Sequence, residues 1–240
     1  MFFLCLLTLL LARPALAAPI EPGNRQMVLV ISEDWNSSEA RLQLFGRSAE
    51  GAWKKSPLTP SPWRARIGRN GLGWGGVAEC PEADAPTKKE GDGKAPAGVF
   101  PLLSSFGFPE EQSTRARMPF TKLTSDWEGV DDPKSTYYNQ ILDTRKVEKK
   151  DWDSFEKMLI PEYQVGLRVG YNTDPPVPGL GSCIFMHIFS VPEKATSGCT
   201  AVSLTQMRSL RDWLDPQLHP ILIQLPRCVY EKVQGSWGLP

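Results

Sequence analysis

Cys183-Ile184-Phe185-Met186 most constrains how this chain can fold: it is an unbroken apolar run that opens at Ser182 and closes on a histidine, His187. A run of that kind reads as a buried strand, which would carry the imidazole at its end into the protein. Twelve positions after His187 the chain reads Thr196-Ser197-Gly198-Cys199-Thr200. A thiol becomes a good nucleophile near neutral pH when an imidazole takes its proton. The chain holds only two histidines, and His219 lies in a Pro-flanked turn, Asp215-Pro216-Gln217-Leu218-His219-Pro220. His187 is therefore the candidate base and Cys199 the candidate nucleophile.

If the strand ending at His187 lies beside the chain leading to Cys199, imidazole and sulfur can come within the ~3 to 4 Å that proton transfer needs. Ser197 and Gly198 permit a sharp turn before the nucleophile. The backbone N–H groups of Gly198, Cys199 and Thr200 could then converge as an oxyanion hole. The chemistry such a set serves is acyl transfer: a thiolate attacks a carbonyl, a thioester forms, and an amine or water resolves it. The alternative is a cysteine and a histidine that share a neighbourhood by chance in a non-catalytic protein.

Elsewhere the pattern is mainly β with a few short helices. Met27 to Ser32 and Arg41 to Phe45 are β-rich runs around a polar turn, which predicts an opening antiparallel hairpin. Gly68-Arg69-Asn70-Gly71-Leu72-Gly73-Trp74-Gly75-Gly76 is a glycine-rich turn, read either as the wall of a ligand groove containing Trp74 or as a bulged connection. Gly91 to Leu102 delivers the chain into another strand, and its Lys94 is followed by Ala and Pro, not by the Ser or Thr of a phosphate loop. Asp131-Asp132-Pro133 opens a polar loop tipped by Tyr137 and Tyr138; the paired aspartates lack the further ligands of a metal site. Asp151 to Ile160 reads as a short amphipathic helix. Ser203 with Gln206 is a capping box opening a helix to about Trp213, with Leu204, Met207, Leu210 and Leu214 on one face. Ile221 to Leu225 reads as a final strand, and Arg227 to Pro240 as a tail.

Phe2 to Ala12 is almost wholly apolar and Ala15-Leu16-Ala17 follows, the pattern of an export signal cleaved after Ala17. The run is about eleven residues, short of the ~20 a membrane-spanning helix needs. It lacks a basic flank, which leaves an uncleaved anchor as the alternative. The expected layout is a signal over 1–17, a lead-in over 18–26, one catalytic domain over 27–226 and the tail. Formal charge is +0, and removal of Arg13 with the signal leaves 26 basic against 27 acidic side chains, or −1. That balance offers nothing to a nucleic acid or an anionic membrane. Four cysteines remain after the signal. Cys80 with Cys228 is the expected disulfide if one forms, with buried free thiols as the other reading.

Three passages in order, Gly91-Asp92-Gly93-Lys94-Ala95-Pro96-Ala97-Gly98-Val99-Phe100, Gly181-Ser182-Cys183-Ile184-Phe185-Met186-His187 and Ser197-Gly198-Cys199-Thr200, resemble the L,D-transpeptidase catalytic domain, the YkuD-like family of bacterial cell-wall enzymes. The resemblance spans roughly 27–226. It implies a β-sandwich catalytic domain, Cys199 as the acyl-accepting nucleophile, and His187 as a base oriented by a backbone carbonyl. It implies no cofactor and no metal. The substrate would be the tetrapeptide stem of peptidoglycan, cleaved after its third residue with loss of the terminal D-alanine and then joined to an amine of a second stem. Carbapenems would acylate Cys199, and the address would be the periplasm or cell envelope. Thr200-Ala201 departs from the family pattern by offering no charged residue just beyond the cysteine, so Arg168, Arg208 or Arg69 would hold the incoming carboxylate. Phe189 is bulkier than the family's usual residue there, which implies a narrower groove beside the base. L,D-carboxypeptidation, exchange of the terminal D-amino acid, and wall binding without catalysis are the competing activities.

Overall fold

In the computed structural model, which describes residues 20–48, 51–76 and 79–240, the chain opens as the hairpin its sequence predicts. Strands β1 (Gln26–Ser32) and β2 (Glu39–Gly46) pair antiparallel, with Met27 opposite Phe45 and Ile31 opposite Arg41. Short strands β3 (Lys54–Lys55), β4 (Trp63–Arg66) and β5 (Leu72–Trp74) follow, and then the long β6 (Ala95–Gly107). After β7 (Phe120–Lys122) come β8 (Trp127–Val130), β9 (Ile141–Asp143) and β10 (Phe155–Lys157), which form a separate sheet in the order β10-β8-β9. The last part of the chain is β11 (Val165–Val169), β12 (Phe185–Ile188), β13 (Thr200–Val202), helix α1 (Leu204–Trp213), β14 (Ile221–Pro226) and helix α2 (Arg227–Val233). The protein is mainly β.

The large sheet has eleven strands, and its pairings return to their start: β1-β14-β6-β11-β12-β13-β4-β2, with β2 bonded back to β1. The result is a barrel-like ring of eight strands. Strand alternation explains how it is filled, since successive side chains point to opposite faces. Val28 and Val30 of β1 join Leu42, Ala65, Phe100, Leu167, Met186, Val202 and Leu222 in one buried cluster to which all eight ring strands contribute. Helix α1 adds Met207 and Leu210 to that cluster, and Leu214 follows at its end. Its predicted capping box is formed: Ser203 Oγ accepts from Gln206 N at 3.3 Å, and Gln206 Oε1 accepts from Ser203 N at 3.0 Å.

The other face of β1 and β14 carries Met27, Leu29, Ile221, Ile223 and Leu225, and here the sequence reading needs correcting. The segment read as a tail is folded. Helix α2 and the turn after it bring Val229, Val233, Trp237 and Leu239 onto that face, all buried. A second correction concerns Asp151 to Ile160, which forms no helix. Phe155-Glu156-Lys157 runs extended as β10, antiparallel to Val130-Gly129-Glu128, and Pro161 stops any helix from continuing. The Asp151 carboxylate, instead of capping a helix there, accepts bonds from Ser135 and Thr136.

A third buried cluster, Phe106, Leu123, Met158, Tyr163, Cys183, Phe185 and Cys199, lies where the small sheet meets β6 and β12. It contains the candidate nucleophile. Cys80, Cys183, Cys199 and Cys228 are all free thiols, so the expected Cys80–Cys228 bond is not formed; both sulfurs instead lie beside the Glu82 carboxylate. No helix of the described residues is long and apolar enough to cross a membrane. The expected signal over 1–17, and the start of the lead-in, lie outside the described residues.

Candidate active site

Strands β12 and β13 are parallel neighbours, with Met186 opposite Thr200 and His187 opposite Ala201. Paired residues of adjacent strands point to the same side, and so do residues two apart along one strand. Ala201 therefore shares a face with His187, and Cys199, two positions earlier, shares it too. Met186 and Val202 point the other way, into the ring core. The register thus delivers the candidate nucleophile and the candidate base to one cavity of about 490 Å³, lined by both of them.

His187 is buried, and its ring is held by two contacts. Nδ1 lies 2.8 Å from the carbonyl oxygen of Ile188, and the ring meets Tyr163 edge to face at 5.3 Å between centroids. A carbonyl oxygen can only accept, so Nδ1 carries the proton and Nε2 keeps its lone pair. Burial lowers the imidazole pKa below its ordinary value, with the Ile188 carbonyl opposing, so the ring is neutral near pH 7.

Cys199 is equally enclosed. Its sulfur accepts from Phe185 N at 3.3 Å and lies 3.5 Å from the Cys183 carbonyl, to which the thiol can donate. Burial raises its pKa far above the usual thiol range; the charge of Glu156 adds to that, while the Phe185 N–H and Lys88 oppose it. The resting pair is thus a neutral thiol and a neutral imidazole, not a preformed ion pair. Imidazole and sulfur share no direct hydrogen bond in this state.

The turn before Cys199 is built by Thr196, whose hydroxyl accepts from Gly198 N at 3.2 Å and donates to the Cys199 carbonyl at 2.6 Å. Of the three expected oxyanion donors, the Gly198 N–H is therefore occupied within the turn. Gly198 and Ser197 line the cavity; Thr200 turns its side chain away into the ring interior. Ser197 Oγ accepts from Arg69 Nη1 at 3.0 Å, and Arg69 N donates to the Thr196 carbonyl at 2.8 Å. One end of the glycine-rich turn thus braces the nucleophile's approach. The rest of the turn is packed connection: Gly71 adopts φ 77°, and a Cβ there would lie 2.0 Å from the Trp35 carbonyl oxygen.

Behind the nucleophile, Cys183 adopts φ 52°, a left-handed conformation uncommon for residues other than glycine. This is where the predicted strand begins late, at Phe185. Asn139 holds the kink, since its Oδ1 accepts from Cys183 N at 2.9 Å and its Nδ2 donates to the Tyr171 carbonyl at 2.9 Å. The tyrosine-tipped loop is therefore scaffold for the site.

Charge in the cavity is divided. Arg69, Lys88 and Lys194 are its cationic groups, and Glu90, Asp131, Glu156 and Glu162 its acidic ones. Lys88 is buried and paired with Asp92 at 2.8 Å. Glu90 accepts from Ser182 Oγ at 2.7 Å and from the Tyr138 hydroxyl. Burial raises Glu156 to about 7, and Asp131 and Glu90 add to the effect against a 2.6 Å hydrogen bond from the Tyr163 hydroxyl.

Of the three arginines offered for the carboxylate, only Arg69 lines this cavity. Arg208 pairs with Glu111 and lines a separate groove with Leu58 and Trp213. Arg168 donates to the Asn139 carbonyl at 3.2 Å and supports the scaffold loop. Trp74 packs at the seam between the two larger clusters, outside the cavity lining. Sequence reasoning missed Glu156, Tyr163 and Lys88. A period-two reading of Phe155-Glu156-Lys157 before Pro161 would have placed Glu156 on a strand face. Nothing in the sequence distinguishes Lys88 from its neighbour Lys89. Compared with known proteins, the chain matches no family model, no curated protein and no solved structure.

Proposed function

We propose that the protein is a cysteine acyltransferase of the L,D-transpeptidase type, acting on peptidoglycan stem peptides through a thioester on Cys199. The observation that carries the reading is the delivery of Cys199 and His187 from adjacent parallel strands into one cavity, with His187 Nδ1 tied to a main-chain carbonyl. That tie leaves Nε2 as the only basic ring nitrogen. In the proposed reaction Nε2 takes the thiol proton as the sulfur bonds to the carbonyl carbon of the third stem residue. The carbon–nitrogen bond to the terminal D-alanine then breaks, and the departing amine takes the proton from His187. An amine of a second stem attacks the thioester, gives its proton to His187 and releases the sulfur, joining the two stems.

The divided charge of the cavity suits a zwitterionic ligand. Arg69 and Lys194 can meet a carboxylate at one side, while Glu90 and Asp131 can meet an ammonium. A closed sheet flattened about its core has two facing layers, and in that form the expected sandwich belongs to this proposal. Export to the periplasm or cell envelope and acylation by carbapenems belong to it as well. The test is to incubate the protein and Cys199→Ala with purified tetrapeptide muropeptides and identify the products by mass. Dimers joined through the third residue, absent with the variant, are the expected result. Shortened tripeptides alone would make it a carboxypeptidase, and no Cys199-dependent product would remove the reading.

A further inference from the structure

Tyr163 bonds the Glu156 carboxylate and shares a buried cluster and a cavity wall with Cys199. Its ring is fixed by edge-to-face contacts with Phe106, Phe185 and His187, at centroid distances of 5.8, 5.6 and 5.3 Å, so the hydroxyl has little freedom to move. That hydroxyl donates to Glu156 Oε2 at 2.6 Å, and Tyr163 packs with Cys199 in one buried cluster and lines the same cavity, where it favours the thiolate. We infer that Glu156, acting through the Tyr163 hydroxyl, is a positioning residue that sets how readily Cys199 gives up its proton. The inference rests on the reading of Cys199 as the nucleophile.

The argument is one of hydrogen-bond supply. A phenol has one proton to donate, and an ionised carboxylate can only accept. With Glu156 ionised, the Tyr163 proton is committed to it, and the carboxylate's charge opposes a neighbouring thiolate. With Glu156 protonated, the carboxyl can donate to the Tyr163 oxygen, and the phenol proton is released toward the sulfur. The surroundings keep both forms accessible. Burial, Asp131 just after β8 and Glu90 from the loop before β6 oppose the charge on Glu156, while Tyr163 favours it; that charge in turn opposes thiolates at Cys183 and Cys199. The buried cation of the cavity, Lys88, is held by Asp92, and His187 is neutral. The carboxyl pKa of about 7 agrees with this balance.

The experiment measures the rate at which iodoacetamide alkylates Cys199, resolved from the other cysteines by peptide mass spectrometry, between pH 5.5 and 9.5. The proteins are wild type, Glu156→Gln, Tyr163→Phe and the double variant. Glu156→Gln is expected to raise the rate by about tenfold at pH 9, as a thiol pKa lowered by one unit would, and by only about twofold at pH 7, where the wild-type carboxyl is already half protonated. Tyr163→Phe is expected to slow it several-fold, and in the Tyr163→Phe background the gain from Glu156→Gln should largely vanish. An unchanged rate in Glu156→Gln, or an undiminished gain without the tyrosine hydroxyl, overturns the inference. Should Glu156→Gln not fold, Glu156→Asp, which draws the carboxylate back from Tyr163, must give the same direction. Turnover of stem peptides is read on the same proteins. Lost turnover with this alkylation pattern intact removes the transpeptidase reading alone, and a flat pattern with turnover intact removes the relay alone.

Discussion

Thr200 Oγ1 donates a 2.7 Å hydrogen bond to Gln224 Oε1 across the inside of the strand ring, joining β13 to β14, which are not neighbours in the sheet. Gln224 Nε2 in turn donates to the Pro96 carbonyl at 2.9 Å. Both ends of a fully buried amide are thus satisfied, and the residue next to Cys199 is tied to the opposite wall. Gln224→Leu leaves the Thr200 hydroxyl and the Pro96 carbonyl unpaired in an apolar interior. The expected cost is about 2 to 4 kcal/mol, from roughly 1 to 3 kcal/mol for each orphaned group. Thermal unfolding checks it, with a Tm drop of several degrees expected.

Cys199→Ala is expected to abolish covalent adducts and turnover together, and His187→Gln to slow acylation by about 10²- to 10⁴-fold while leaving the fold intact. His187 has a pKa below its ordinary 6.5, so the base stays unprotonated down through that pH. The acid limb of the His187-dependent rate should therefore fall below pH 6.5. A pH–rate profile with the limb at 7 or above would contradict the buried, neutral imidazole.

Glu156 also makes a prediction about stability. Its folded pKa of about 7 lies above the value near 4.3 expected for an unfolded glutamate, so the native state holds a proton the unfolded chain has lost. Its contribution to stability is greatest below pH 4.3 and declines as pH rises toward 7. Glu156→Gln removes that decline, and should stabilise the protein by on the order of 2 kcal/mol at pH 8 relative to its effect at pH 5. Chemical denaturation at the two pH values measures the difference.

Arg69 and Arg208 should separate by phenotype. Arg208→Ala removes a partner of the buried Glu111 carboxylate, which also accepts from Gln164 at 2.7 Å. Because Arg208 is half exposed, the loss should be about 1 to 2 kcal/mol of stability, with KM unchanged. Arg69→Ala, at the cavity wall, should raise KM several-fold and cost little stability. Steady-state kinetics beside melting curves distinguishes them.

Truncation after Pro226 should leave an insoluble or unfolded protein. It strips Val229, Val233, Trp237 and Leu239 from the β1 and β14 face, each a loss of about 1.5 to 3 kcal/mol, against a typical total of roughly 5 to 15 kcal/mol. Soluble, cooperative unfolding of the truncated chain would refute this.

The legible parts of the fold were those fixed by local periodicity. The β1–β2 hairpin, the Ser203 capping box and the apolar β14 all follow from patterns read within a few residues. The ring was not legible, because it depends on β1 meeting both β2 and β14, a pairing across almost the whole chain that no local pattern encodes. In the candidate site, Cys199 and His187 stood out by residue type and scarcity. Glu156 did not, since a lone glutamate between Phe155 and Lys157 looks like a solvated surface position; only the apposition of β10 and the Tyr163 turn makes it a cavity group. Arg208 misled for the opposite reason, its charge being already taken by Glu111.

Parallel pairing of β12 and β13 forces the chain to double back between Ile188 and Thr200, and that return is fastened near its end, where Thr196 bonds Ile67 and Arg69. The outer arc before the fastening, with Val191 almost fully exposed and Lys194 at the cavity rim, is also tied to ring strand β4, because Glu193 pairs with Arg64 and, at 2.6 Å, with Arg66. The cavity rim is thereby part of the barrel wall, held at Glu193 as well as at Thr196. Any graft over residues 190–195 would have to keep a carboxylate at position 193, or two arginines of β4 lose their partner and the rim loses its hold on the ring.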